Sequence, residues 1–282
     1  MPNPNNILSP ITLFGTPRSG TSVLYRALTE HPDVEGGGES ANLVFTTWRA
    51  LEQISGVTRY GKIALKDYGA DGARLVQQAF LTVFPSEKKE WMHKPIGVPR
   101  IHADFPGTEP ESETFVQWYW MVFSRSFPQS RNLAILRNPL DVVLSMTRYL
   151  DVPDSTVWRS LNFLYRSLAL APEKPRIVVT YEQLVAEPEM TLKRICEAVA
   201  LTFHPRMLRA FDRLHVPARG VMFGTPEDLQ ERRARGFSHQ HEREALALGP
   251  DARRAIGRYH ELLAVFGLPA DSGAPMVERS AG

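Results

Sequence analysis

A short apolar run, Ile7 to Phe14, ends in Gly15-Thr16-Pro17-Arg18-Ser19-Gly20-Thr21-Ser22, and Val23, Leu24, Ala27 and Leu28 then recur at helical spacing. His31-Pro32 closes that helix, because proline has no amide donor and restricts the residue before it. Strand, glycine-containing loop and helix in this order constrain the fold more than any other stretch. Two glycines let backbone amides turn inward, and the helix start adds unpaired N–H groups and a favourable dipole. Such a nest holds a phosphate or a sulfonate. Arg18 adds a directional charge for terminal oxygens, and Thr21 and Ser22 add hydroxyl donors. The triphosphatase form of this loop runs glycine, four residues, then Gly-Lys-Ser/Thr. Here Thr21 stands where that lysine would be, the cation comes earlier at Arg18, and no need for magnesium is evident.

Further along, apolar strand patterns alternate with helical ones. Ile63 to Lys66, Trp91 to Pro95, Asn132 to Leu136 and Arg176 to Thr180 read as strands. Arg74 to Phe84, Glu113 to Phe127, Leu140 to Tyr149, Val157 to Leu170, Met190 to Leu201 and Arg254 to Phe266 read as helices. Gly36-Gly37-Gly38 reads as a flexible turn, and residues 100 to 111 as a loop. The alternation predicts a three-layer α/β fold of P-loop type, with a mostly parallel central sheet flanked by helices. No linker divides it, so residues 1–268 are expected to form a single domain and 269–282 a flexible tail.

Composition removes several classes. Hydrophobic residues are 43% of the 282, and 33 Lys+Arg nearly balance 31 Asp+Glu. That is too apolar and too neutral for disorder or for a basic nucleic-acid arm. Arg232, Arg233 and Arg235 form a short basic run read as solvated charge, so no nucleic-acid partner is expected. One cysteine, Cys196, makes neither an internal disulfide nor a four-thiolate metal site, and it reads as a buried helix residue. No run approaches 18 apolar residues, and the first residues lack a basic stretch followed by an apolar one. The expectation is a cytoplasmic protein with no membrane partner.

Arg137-Asn138-Pro139-Leu140-Asp141-Val142-Val143-Leu144-Ser145 is the second informative stretch. Together with Thr16 to Ser22 it resembles the two donor-binding signatures of the sulfotransferases that use 3′-phosphoadenosine 5′-phosphosulfate, PAPS. The resemblance is closest in feel to bacterial and protein-tyrosine-type enzymes. It implies that Arg18, Ser19, Gly20, Thr21 and Ser22 hold the 5′-phosphosulfate and that Arg137 and Ser145 hold the 3′-phosphate. Arg235 and Gly236 resemble, more loosely, the late basic-glycine segment of the family that helps bind the same phosphate. Tyr181-Glu182-Gln183-Leu184-Val185 resembles its late strand-to-helix segment.

The implied reaction moves a sulfuryl group to a hydroxyl, less readily an amine, and releases adenosine 3′,5′-bisphosphate without a metal. Glu39, following His31-Pro32 and the glycines, resembles the family's catalytic glutamate, with Glu35 as a rival. Lys94 before Pro95 resembles a family lysine near the active site, joining Arg18 among the catalytic groups. Many relatives use a histidine instead, which leaves His93 and His102 as alternative bases. Phe115, Trp118, Tyr119 and Trp120, and likewise Trp158, Phe163 and Tyr165, are candidate acceptor walls as well as candidate core. The expected acceptor is a small-molecule or natural-product hydroxyl, and a homodimer is left open. The alternatives are a P-loop kinase or triphosphatase, and a noncatalytic nucleotide-binding protein of the same fold.

Overall fold

In the computed structural model, residues 9–56, 68–85, 87–96, 102, 109–212 and 248–269 are described. They build one sheet of five strands: β1 (Ile11–Phe14), β2 (Val34–Glu39), β3 (Glu90–Lys94), β4 (Arg131–Leu136) and β5 (Ile177–Thr180). The order across the sheet is β2-β3-β1-β4-β5, and each neighbouring pair is parallel. The helices are α1 (Thr21–Thr29), α2 (Thr47–Gly56, entered through a π-helical turn at Asn42–Thr46), α3 (Tyr68–Val83) and α4 (Glu113–Ser126). After them come α5 (Pro139–Leu150), α6 (Asp154–Ala169), α7 (Tyr181–Ala186), α8 (Pro188–Ala198), α9 (Arg209–Asp212) and α10 (Pro250–Val265).

Strand alternation divides the core in two. Leu133 and Ile135 face a cluster with Leu24 and Leu28 of α1 and Leu192, Ile195 and Cys196 of α8. Ala134 and Leu136 face the larger cluster, with Phe115, Tyr119 and Phe123 of α4, Leu161 of α6 and Tyr259 of α10. Both faces of the sheet are therefore covered, as an all-parallel sheet requires. This is the expected three-layer α/β architecture. Cys196 is buried in a helix, as read, and burial pushes its thiol up to about 11.

One element departs from the sequence reading. Gly36-Gly37-Gly38 is not a turn but the middle of edge strand β2. A Cβ on Gly36 would lie 2.1 Å from the Tyr25 hydroxyl, and one on Gly37 would lie 2.6 Å from the Trp91 ring. The glycines are there because bulky neighbours press on both faces of the strand, and local composition does not reveal such neighbours. The expected strand at Ile63–Lys66, the Arg235–Gly236 segment and the tail from 270 onward lie outside the described residues.

Candidate active site

In a parallel sheet, the carboxyl ends of all strands open on one edge. Here that edge collects the sequence-predicted residues into a row. Glu39 ends β2, Lys94 ends β3, Arg18 follows β1, Arg137 follows β4 and Tyr181 follows β5. Neighbouring strands lie about 4.8 Å apart, so residues far apart in sequence become neighbours. After β1 the chain crosses to β2 on one side, and after β4 it goes to β5 on the other. The crevice between such strand ends is where open α/β sheets bind ligands.

The first loop is held by its own side chains. Ser19 donates its backbone N–H (3.2 Å) and its hydroxyl (2.7 Å) to the Thr16 carbonyl, and the Thr21 hydroxyl points to the same oxygen at 3.5 Å. Ser19 and Thr21 are buried, so their hydroxyls serve the loop, while Ser22 is exposed on the first turn of α1. Gly15 has no room for a Cβ, which would meet Thr21 Cγ2 at 2.4 Å. Arg18 and Gly20 take positive φ, 67° and 96°, and no side chain caps the N-terminus of α1. A non-glycine residue in the left-handed region costs about 1–2 kcal/mol, and such strain concentrates at ligand sites.

The second signature interlocks with the first. Arg18 Nε donates to Ser145 Oγ at 2.9 Å, and Arg137 Nη1 donates to the Arg18 carbonyl at 2.9 Å. The Arg137 guanidinium lies 4.5 Å over the Tyr181 ring, and its Nη2 is 4.0 Å from Asp141 Oδ2. Its Nε is buried with no hydrogen-bond partner. Pro139 at the start of α5 and the Asn138 side chain, which accepts from the Leu140 amide, fix the turn that presents this arginine.

On the other flank, Lys94 Nζ and Glu39 Oε1 are 3.1 Å apart; the lysine side chain is 9% exposed and the glutamate 61%. Lys94 also lies 5.5 Å over the Tyr25 ring, and the Tyr25 hydroxyl accepts the Gly38 amide at 2.8 Å. Burial, opposed by that amide and aided by Glu35, raises the Tyr25 pKa. Tyr25 had no place in the sequence reading, and Tyr181 entered it only as the start of the late strand-to-helix segment. The signal for Tyr25 was the glycine run itself, which implies a large side chain facing it. Glu35 sits further back on β2, 3.7 Å from Lys88.

The histidine alternatives fare differently. His93 is fully buried, and desolvation holds its pKa down at about 3. It cannot meet an acceptor from there, so the alternative base at this position is corrected to a core residue. His102 is half-buried, with its ring 4.9 Å from Phe115. Trp120, Tyr165, Tyr119 and Phe163 are also core, and the last two in addition line a cavity of about 70 Å³ that abuts the first loop. Phe14, Pro17, Pro95, Ile96 and Leu164 add to its apolar lining, and the Thr16 hydroxyl at its wall is buried without a partner.

Among the described residues, no helix is long and apolar enough to cross a membrane, and no group of three or more His, Cys, Asp or Glu could hold a metal ion.

Comparison with known proteins bears on this arrangement. A protein of Caenorhabditis briggsae, provisionally named a protein-tyrosine sulfotransferase, is 24% identical over 210 residues, covering 70% of this chain and 68% of its own. The crystal structure of sulfotransferase STF9 from Mycobacterium avium superposes with a TM-score of 0.50 at 14% identity, covering 92% of this chain and 77% of that one. The sulfotransferase domain of the Synechococcus PCC 7002 olefin synthase gives a TM-score of 0.49 at 17% identity, over 95% and 96%. The sequence pattern of the sulfotransferase family matches residues 10–205, which include both interlocked loops and the Glu39–Lys94 pair, and the chain belongs to that family.

Proposed function

We propose that this chain transfers the sulfuryl group of PAPS to the hydroxyl of a small-molecule acceptor. The observation that carries the reading is the interlock of Arg18, Ser145 and Arg137 at the sheet's switch point, with Lys94 and Glu39 on the adjoining strand ends. The residues suit a donor that is anionic at both ends. Arg137 carries a buried Nε without a partner, and the helix behind the first loop has an uncapped N-terminus. Bound PAPS supplies an activated sulfuryl group, and its passage to a hydroxyl leaves adenosine 3′,5′-bisphosphate.

The chain's own groups divide the work. Arg18, the amides of Gly20 to Ser22 and the start of α1 hold the phosphosulfate and stabilise the charge that collects on the leaving oxygen, while Ser19 braces the loop through Thr16. Arg137 and Ser145 hold the 3′-phosphate, and Arg235 and Gly236 are assigned to the same end by their likeness to the family. Lys94 neutralises the transferring group, and Glu39 takes the proton of the acceptor hydroxyl as it attacks. The 70 Å³ cavity beside Thr16 and Pro17 has an apolar lining without charged side chains. That suits a small apolar alcohol or phenol better than an acidic peptide.

The test is transfer from radiolabelled PAPS, with and without added magnesium, to three acceptors: 4-nitrophenol, a long-chain alcohol and a tyrosyl peptide. Metal-independent labelling of a small acceptor is expected. Labelling of the peptide alone would replace the acceptor class. Magnesium-dependent ATP turnover without affinity for adenosine 3′,5′-bisphosphate would overturn the reading and restore a P-loop kinase or triphosphatase.

A further inference from the structure

Glu39 and Lys94 meet on the carboxyl edge, yet the ladder beneath them is irregular. β2 is an edge strand with three glycines, and its register against β3 shifts between Gly36 and Glu39. Past that shift the ladder resumes with Glu39 opposite Lys94. A buried polar chain one residue away ties this resumed pairing to the core. Ser40 Oγ lies 2.6 Å from His93 Nδ1, and His93 Nε2 lies 2.8 Å from Thr12 Oγ1. Thr12 Oγ1 lies 2.6 Å from Ser130 Oγ, which in turn lies 3.3 Å from the Pro10 carbonyl oxygen.

The imidazole thus has both nitrogens engaged by buried hydroxyls, and burial holds it neutral, with its pKa down at about 3. Its ring packs against Phe80, Phe123 and Phe127, with centroids 5.2, 6.3 and 4.9 Å away. Ser40 is tied a second time, its amide donating to the Lys94 carbonyl at 3.1 Å.

We infer that His93 is a positioning residue: by pinning Ser40 to β1 and β3, it sets the Glu39 carboxylate against the Lys94 ammonium. The inference rests on reading that pair as sulfuryl-transfer groups. Alternation along β3 sends the His93 and Lys94 side chains to opposite faces, so the imidazole acts through the strand and never touches the acceptor. Replacing it by a residue that keeps the aromatic packing but makes no hydrogen bonds should release Glu39 and Lys94 while sparing the donor loops.

His93→Phe is that replacement. Two readings are taken: kcat for transfer from PAPS to 4-nitrophenol alongside the Kd for adenosine 3′,5′-bisphosphate, and the rate at which acetic anhydride modifies Lys94, followed by mass spectrometry. The expected result is a kcat lower by about tenfold to a hundredfold, as for misplaced catalytic groups, with donor affinity unchanged and Lys94 modified faster. A wild-type value for kcat or for Lys94 modification overturns the inference. Should His93→Phe not fold, Ser40→Ala removes one bond of the same chain, and the same two readings decide. Should the wild-type protein itself fail to use PAPS, the sulfuryl-transfer reading falls, while Lys94 modification still decides whether His93 sets that side chain.

Discussion

At the scale of single residues, Arg18 joins the two halves of the site. Its side chain reaches Ser145 and its carbonyl accepts from Arg137, so a change at either partner is felt in the loop. Arg137→Ala should weaken adenosine 3′,5′-bisphosphate binding by about 1.5–3 kcal/mol, the usual worth of a hydrogen bond to a charged group, as read by calorimetry. Undiminished affinity would remove Arg137 from the donor site. Glu39→Gln keeps the shape of the side chain and removes the proton acceptor. It should lower the transfer rate by about 10²–10⁴-fold with donor affinity intact, in steady-state assays run beside the same calorimetry. An unchanged rate would assign the proton to another group.

At the scale of elements, β2 and the β5–α7 junction show two ways in which a short segment is held. β2 owes its place to absent side chains. Gly36→Ala would push a methyl group into the Tyr25 hydroxyl, 2.1 Å away, and overpacking of this kind costs about 1–3 kcal/mol. A lower midpoint in urea denaturation is expected, with Tyr25→Phe partly restoring it in the double variant because the obstructing oxygen is gone. At the other edge, a capping box starts α7. Thr180 Oγ1 accepts the Gln183 amide at 3.1 Å, and Gln183 Oε1 accepts the Thr180 amide at 3.1 Å. Thr180→Ala should cost about 1 kcal/mol and lower Tm by about 2–4 °C in calorimetry. The capping box is visible in sequence as Thr-x-x-Gln, whereas the glycine strand reads locally as a turn.

At the scale of the molecule, burial of His93 couples the core to pH. Its pKa is near 6.5 when unfolded and about 3 when folded, so between those values the unfolded chain binds the extra proton. Stability should therefore fall as pH drops through that window, by up to about 1.4 kcal/mol per pH unit from this residue. Urea midpoints measured at pH 7.5 and pH 4.5 check this, and His93→Phe should flatten the difference. The same scale separates what could be read early from what could not. The strand-loop-helix unit at residues 11–29 and the start of α5 follow from local rules: apolar runs, glycine at left-handed positions, and proline in a first turn. For this reason both loops at the sheet edge, the α/β class and the family were legible in the chain itself. The order β2-β3-β1-β4-β5 was not, since no local pattern states which strands will pair. That order alone brings Glu39 to Lys94 and Arg18 to Ser145, tucks His93 into the core and sets Tyr25 beneath the lysine. Short-range conformational preference is written in neighbouring residues, whereas burial and cross-strand contact depend on partners up to more than a hundred positions away, and only the packed sheet supplies them.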